Sequence, residues 1–554
     1  MQNQTERSWL VSIATVGVIL WVLLAVLGFF EQIPLTEIER LLCFGILVTT
    51  PLGLRIAIQP DRAGRIPQYY RQTLRFYPVA ALAAVLSMLL THQIFAGICA
   101  LIWTMVTISA SCYGLHRLLP RPLVAVDELS IDFGLIYMTI GGIWLSAYAF
   151  GYPLLSFDPT TVILTAVHFT FISPGALVIM GMIGRSLNGS RAWLFFCWVA
   201  GFAIASPALV ALGITFTQFA GRLWLEAGAV IILAGSFLIL SALYTVGGLP
   251  EHLLARVLIL PSVGALLITM GFALAYSLGR FTGWWSVPLQ SMIRWHGWLN
   301  AVGFIGAGLL AWNIAVPTSH VAPAGIPFSQ LPWRWQIGPD FFDRIQAIDQ
   351  HPTKPPTGIA EDLSAYADED FHPETITPAI KAFYERTAEH ALWVYPQWQP
   401  RFRLLALVYK RISTRLNQMN FPSSAETKQT LVTSAIVPLR DDLDKREGVR
   451  GWVRVYPDSG QAVYVAAYST HRNAGRCYMN IAFPLPLGNL TSVLKLTTPP
   501  ETAGGLLLTS FSTPHGDQGV YFASRVTAIR LPINETITVY PSSIGYAGLP
   551  PELP

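Results

Sequence analysis

The first 320 residues of this 554-residue chain contain no lysine; all of it (Lys354, Lys381, Lys410, Lys428, Lys445, Lys495) lies beyond them. Charge of either sign is scarce, at 12% of residues against 53% hydrophobic, which excludes a single water-soluble fold of this length. Cysteine is scarce too. Cys43, Cys99, Cys112, Cys197 and Cys477 form no CxxC pair, so the sequence suggests neither a disulfide framework nor a thiolate zinc site. No stretch reads as HExxH, GxSxG or a Walker loop, the spacings that metalloprotease, serine-hydrolase and nucleotide chemistry require. A concentrated basic face is missing as well: the tail balances 21 basic against 21 acidic residues. Nucleic acid is thereby excluded as a partner.

What fills the first 316 residues is a series of long apolar runs, each near the length of about 20 residues that crosses a bilayer. Ten are expected: Trp9–Phe30, Leu41–Ile58, Phe76–Leu90, Ile94–Leu115, Ser130–Phe150, Thr161–Gly184, Ala192–Ile214, Glu226–Val246, Ala255–Leu278 and Ile293–Ala315. The third is short and forms a tight hairpin with the fourth through Thr91-His92-Gln93. The first run is too long for a signal peptide and has no small-residue cleavage site before Glu31, so it reads as a retained span. With the N-terminus inside, Arg7, Arg55, Arg62, Arg65, Arg71, Arg75, Arg117, Arg121, Arg185, Arg191 and Arg256 fall on the cytoplasmic side, and Arg40, Arg222, Arg280 and Arg294 outside. This positive-inside bias places both termini in the cytoplasm.

Residues 317–360 read as a linker rich in Pro, Gly and Trp, with Trp333 and Trp335 suited to a headgroup boundary. Residues 361–554 read as a soluble α+β domain. Pro378 marks the first turn of one helix, with Thr375 or Thr377 as its cap, and a second helix runs from about Arg401 to Leu416. From Lys428 the pattern turns to period two, and short strands separated by Pro457-Asp-Ser-Gly, Asn473-Ala-Gly and His515-Gly-Asp suggest an antiparallel sandwich or barrel. The fold class expected is therefore a polytopic α-helical membrane bundle followed by this α+β domain.

Two histidines fall inside apolar runs. His168 lies about 10 Å from the outer end of the sixth at 1.5 Å per residue, and His296 lies in the first turns of the tenth. Asn300, four residues on, shares the face of His296. All three then sit in the outer half of the membrane. Ser173-Pro174-Gly175 breaks the hydrogen-bond ladder just past His168, as in helices that build transporter sites, and Gly297 and Gly303 admit a close neighbour. Three readings stay open: hydrogen bonds that merely join helices, a ligand- or proton-handling site, and a metal or haem site held by the two imidazoles. Asp132 reads as a cap or interfacial group, with a proton relay the minor alternative, and His92 and His116 read as solvated. Trp284, Trp285, Trp295 and Trp298 read as an outer aromatic belt, with a ligand-stacking platform the minor alternative. In the tail, His372, His390, His471 and His515 show no catalytic spacing. His515 with Asp517 reads as a turn, with an acid–base pair the minor alternative, so nothing marks the tail as an enzyme.

Leu164-Thr-Ala-Val-His-Phe and His296-Gly-Trp-Leu-Asn-Ala-Val-Gly-Phe resemble the membrane signatures of the YndJ-like bacterial proteins. Asn480-Ile-Ala-Phe-Pro-Leu-Pro-Leu-Gly-Asn-Leu and Leu531-Pro-Ile-Asn-Glu are similar to the C-terminal domain of longer members. The resemblance implies a bacterial multi-pass protein and brings no established activity, although some members carry a transporter label. Where the family pattern continues with a second histidine or an aromatic-rich Ala-Gly-Phe stretch, this chain has Phe169-Thr-Phe-Ile-Ser-Pro-Gly. A paired-histidine site built that way would lack half of itself here. The expected protein spans the inner membrane, contacts the lipid bilayer and handles a small molecule or proton at His168, His296 and Asn300. Its tail is regulatory or recruits a cytoplasmic protein; the alternatives are a haem or metal protein and a purely structural one.

Overall fold

A computed structural model describes residues 2–60, 66–121, 125–246, 250–319, 326–352, 354–394, 398, 402–421, 430–473, 475–498, 504–511, 516–525 and 527–541. Arg62, Arg65, Lys428 and His515 lie outside the described residues. The chain divides into two compact units, residues 1–118 with 123–323, and residues 119–122 with 324–554.

The first unit is a bundle. Among the described residues ten helices are long and apolar enough to cross a membrane: α1 (Thr5–Phe29), α2 (Glu37–Ala57), α3 (Gln68–Leu89), α4 (Gln93–Leu118), α5 (Val126–Ala149), α6 (Pro159–Leu187), α7 (Trp193–Ala220), α8 (Leu223–Thr245), α9 (Leu253–Thr282) and α10 (Leu289–Ile314). Every apolar run of the sequence falls on one of them. The short third run becomes α3, extended at its start by the polar turn from Gln68 and tied to α4 across residues 90–92. Helices α2 and α6 form the centre, with 89% and 78% of their apolar windows buried, against 22% for α1.

Small residues set how closely that centre packs. A Cβ on Gly53 of α2 would run into the carbonyl oxygen of Pro174 on α6, and one on Gly45 into Thr170 and Phe171. Side chains this small let helix backbones meet where lipid offers no competing hydrophobic drive. Helices α2, α6 and α10 each carry π-helical turns, over Gly45–Thr49, Ile172–Leu177, Met292–Gly297 and Leu299–Gly306. In α6 the turn coincides with Ser173-Pro174-Gly175. Proline has no N–H to give the preceding turn, and its ring crowds the carbonyl four residues back. The expected break is thus a widening of the ladder: α6 continues to Leu187.

The second unit is an antiparallel β domain in one curled sheet. Its order is β1 (Leu392–Val394), β2 (Thr430–Pro438), β3 (Arg450–Val455), β4 (Ala462–Asn473), β5 (Arg476–Leu485), β6 (Gly488–Thr497), β7 (Leu506–Thr509) and β10 (Thr536–Val539). Strand β6 branches: its Lys495–Thr497 end pairs with β7, and its Asn489–Val493 end with β8 (Gly519–Ala523), which carries β9 (Ala528–Leu531). Strand β4 is buried on both faces. Tyr464, Ala466 and Tyr468 join a core with Leu363, Phe371 and Ile380, while Val465 and Ala467 join another with Leu331, Phe341 and Phe342. The stretch from Ile326 to Ile348 thus supplies core residues to the sheet. The two tail helices are α11 (Pro378–Glu385) and α12 (Arg403–Leu416). Thr377 takes the N-cap backbone position of α11 but makes no side-chain cap bond, and Pro378 stands at the first turn as its fixed φ favours.

A histidine pair in a cavity of the helical unit

Asp158 caps α6, its carboxylate accepting from the N–H groups of Thr160 (2.9 Å) and Thr161 (3.1 Å). From that fixed start, His168 falls at the end of the third turn, four residues before the π-helical segment begins at Ile172. Its Nδ1 lies 2.7 Å from the carbonyl oxygen of Leu164. His296, in the first π-helical segment of α10, places its Nδ1 2.8 Å from the carbonyl oxygen of Thr269 on α9. A carbonyl oxygen only accepts, so each Nδ1 donates, and in the neutral ring each Nε2 is left as a lone-pair acceptor. The two rings face one another with centroids 6.4 Å apart and planes inclined by 31°.

Both rings line a cavity of about 310 Å³, together with Asn300, Thr165, Glu226 and Arg280. The rest of its wall is apolar, from Phe171, Leu233, Phe237, Leu266 and Met270 among others. Asn300 has its amide oxygen 3.5 Å from the hydroxyl of Thr269, a contact at the limit of hydrogen bonding. Glu226, in the first turn of α8, accepts from Arg280 in the last turn of α9 at 2.6 Å. Each charge complements the dipole of its own helix, and the pair joins the two helices beside the cavity. Arg280 also lies over the ring of Tyr276, 5.7 Å from its centroid.

The three residues singled out from sequence, His168, His296 and Asn300, therefore share one cavity. Of the expected helix break, Gly175 packs against Ile305 of α10, and Ser173 buries a hydroxyl with no partner among the described residues. Gly303 and Gly297 admit Ala265 of α9 and Leu41 of α2. Glu226 and Arg280 went unrecognised; an acid opening one apolar run and a base closing the next was the available signal. Among the described residues no group of three His, Cys, Asp or Glu side chains is arranged to hold a metal ion.

Asp132 is placed differently from expectation. It is fully buried, 2.7 Å from Nε of Arg117. Arg117 also pairs with Glu128 at 2.8 Å, and Glu128 with Arg185 at 2.7 Å. Ser319 donates to Glu128 at 2.6 Å. Glu128 and Asp132 are four residues apart on one helix face, which lets both reach Arg117 on α4, and Glu128 also reaches Arg185 on α6. His92 and His116 are exposed. Trp284, Trp285 and Trp295 are exposed, whereas Trp298 turns inward and donates to Glu37 at 3.2 Å. In the tail, Asp517 pairs with His471 of β4 at 2.9 Å, and the other ring nitrogen of His471 lies 2.9 Å from the side-chain oxygen of Asn480. His372 is exposed and His390 half-buried.

A family model described as YndJ-like protein matches residues 40–304, the stretch that contains both histidines and Asn300. The protein named "Uncharacterized membrane protein YndJ" from Bacillus subtilis (strain 168) is 31% identical over 521 residues, covering 93% of this chain and 91% of that protein. No solved structure matches the chain. The family model over residues 40–304 and the 31% identity over almost the full length place this chain in the YndJ-like family of membrane proteins.

Proposed function

We propose that this protein handles, and in the simplest case transports, a small ligand or a proton at an outward-facing site built by His168, His296 and Asn300. One observation carries the reading: two imidazoles on different helices are each tied through Nδ1 to a backbone carbonyl, so both Nε2 lone pairs are available to the same cavity. That arrangement suits a hydroxyl or ammonium group that donates to the pair, or a proton shared between the rings. The amide of Asn300 can donate to an acceptor on the same ligand. The apolar wall receives a hydrocarbon body, and about 310 Å³ is at the lower end of small-molecule sites. Polar side chains at membrane depth that face a cavity are costly, which favours a use for them.

The test is to purify the protein in detergent beside a His168→Ala/His296→Ala double variant, extract bound small molecules for mass spectrometry, and record the visible spectrum and metal content. We expect an amphipathic hydroxyl or amine compound to accompany the wild type and be lost from the variant. In parallel, proteoliposomes loaded with a pH dye should show proton uptake that the variant lacks. A Soret band or stoichiometric metal that disappears in the variant would replace this reading with a cofactor protein, with carbonyl-anchored imidazoles as its ligands. A variant that differs only in melting temperature would leave the histidines as links between helices.

A further inference from the structure

Helix α12 shows an apolar face to the exterior of the sheet domain. Its inward face is narrow: Ala406 and Ser413 are buried, and Tyr409 donates its hydroxyl to the carbonyl of Met419 at 2.6 Å. Outward stand Leu404, Leu405, Leu407, Val408 and Ile412, each with more than half of its surface exposed. Leu404, Val408 and Ile412 are spaced i, i+4 and i+8, so they form one stripe along the helix. Arg411 and Arg415, seven and eleven residues after Leu404, run beside that stripe and are exposed. Such a face is not the ordinary scatter of single apolar residues over a soluble surface.

The charge around it has one sign. From His390 to Ala425 the sequence contains five basic residues and no acidic one, within a tail whose 21 basic and 21 acidic residues balance in total. Apolar residues flanked by Lys and Arg are the composition of helices that lie in a membrane interface, with the bases among anionic headgroups. The chain's own spans tether this helix to a bilayer, so it meets lipid at high effective concentration.

We propose that α12 is an interfacial helix that docks the tail on an anionic lipid surface, with Leu404, Val408 and Ile412 inserted at the headgroup boundary and Arg411 and Arg415 paired with lipid phosphates. The test is amide hydrogen exchange of the full-length protein in nanodiscs of phosphatidylcholine alone and of equal parts phosphatidylcholine and phosphatidylglycerol. A basic side chain at an anionic leaflet is worth about fivefold in partitioning. Residues 403–416 should therefore exchange at least about tenfold more slowly in the anionic discs. An Arg411→Glu/Arg415→Glu variant should lose that difference while amides of β4 and β5 stay protected. Should the variant unfold the tail, about 1 M salt on the wild type gives the same reading, because it screens charge beyond about 3 Å. Equal exchange in the two discs overturns the proposal. So does protection that rises with protein concentration in lipid-free detergent, which would make the stripe a contact between copies of the chain.

Discussion

Lys495 and Asp368 bury an ion pair in the sheet domain, with side-chain exposures of 4% and 2%. Burial by itself would raise the pKa of Asp368. The Lys495 ammonium and the N–H groups of Cys477 and Asp370 outweigh it and hold the carboxyl below its ordinary range. A carboxylate whose folded pKa lies below its unfolded value stabilises the fold above the unfolded value, about 3.9. That contribution is lost as pH falls through the lower, folded value. Asp368→Asn should therefore cost the tail up to about 3–5 kcal/mol at neutral pH by leaving the buried Lys495 ammonium with only the half-exposed Asp370 carboxylate at 3.8 Å. Amide exchange across β5 and β6 of the full-length protein, corrected for its intrinsic pH dependence, would report this, with wild type and variant converging below about pH 4. Equal protection at neutral pH would refute it. Nothing local in the sequence marks this pair, since the partners are 127 positions apart. His168 and His296 were legible for the opposite reason: a polar residue within an apolar run stands out wherever its partner lies.

At the scale of elements, the contact between α2 and α6 is the most demanding. Gly53→Leu would force its side chain into the Pro174 carbonyl, and overpacking of this kind costs about 1–3 kcal/mol. Gly201 of α7 has nothing within 4 Å of its would-be Cβ, so Gly201→Leu is the matched control. Heating in detergent followed by size-exclusion chromatography should show a lower midpoint for Gly53→Leu alone; equal midpoints would remove the close approach from the account. Span lengths were readable because a bilayer needs a fixed length of apolar helix, whatever the neighbours. The π-helical turns were only half readable. Pro174 lies in the one in α6 and Pro51 directly follows the one in α2, but neither π-helical turn of α10 contains a proline.

For the whole molecule, we propose from the arginine distribution that both termini are cytoplasmic, with the histidine cavity then opening to the other side. A reporter that fluoresces only in the cytoplasm, fused after Pro554, should be active, and a periplasm-dependent enzyme at the same position silent. The reverse pattern would invert the proposed site. The buried network of Arg117, Glu128, Asp132 and Arg185 bears on the same scale, for it ties α4, α5 and α6 together and takes in Ser319 beyond α10. Charges removed from water must find partners or remain costly, so these positions constrain how the helices are arranged.

The sequence alone determined the ten membrane-length helices found among the described residues and the strand-rich character of the tail. Those depend on hydrophobicity summed over windows and on local periodicity, which a linear reading captures. Only the tertiary structure decided that His168 finds its partner on α10, that Asp517 meets His471, and that Asp132 serves a buried ion network. Each of these is a contact between residues far apart in sequence, fixed by how close small residues allow backbones to come and by the requirement that buried polar groups be paired.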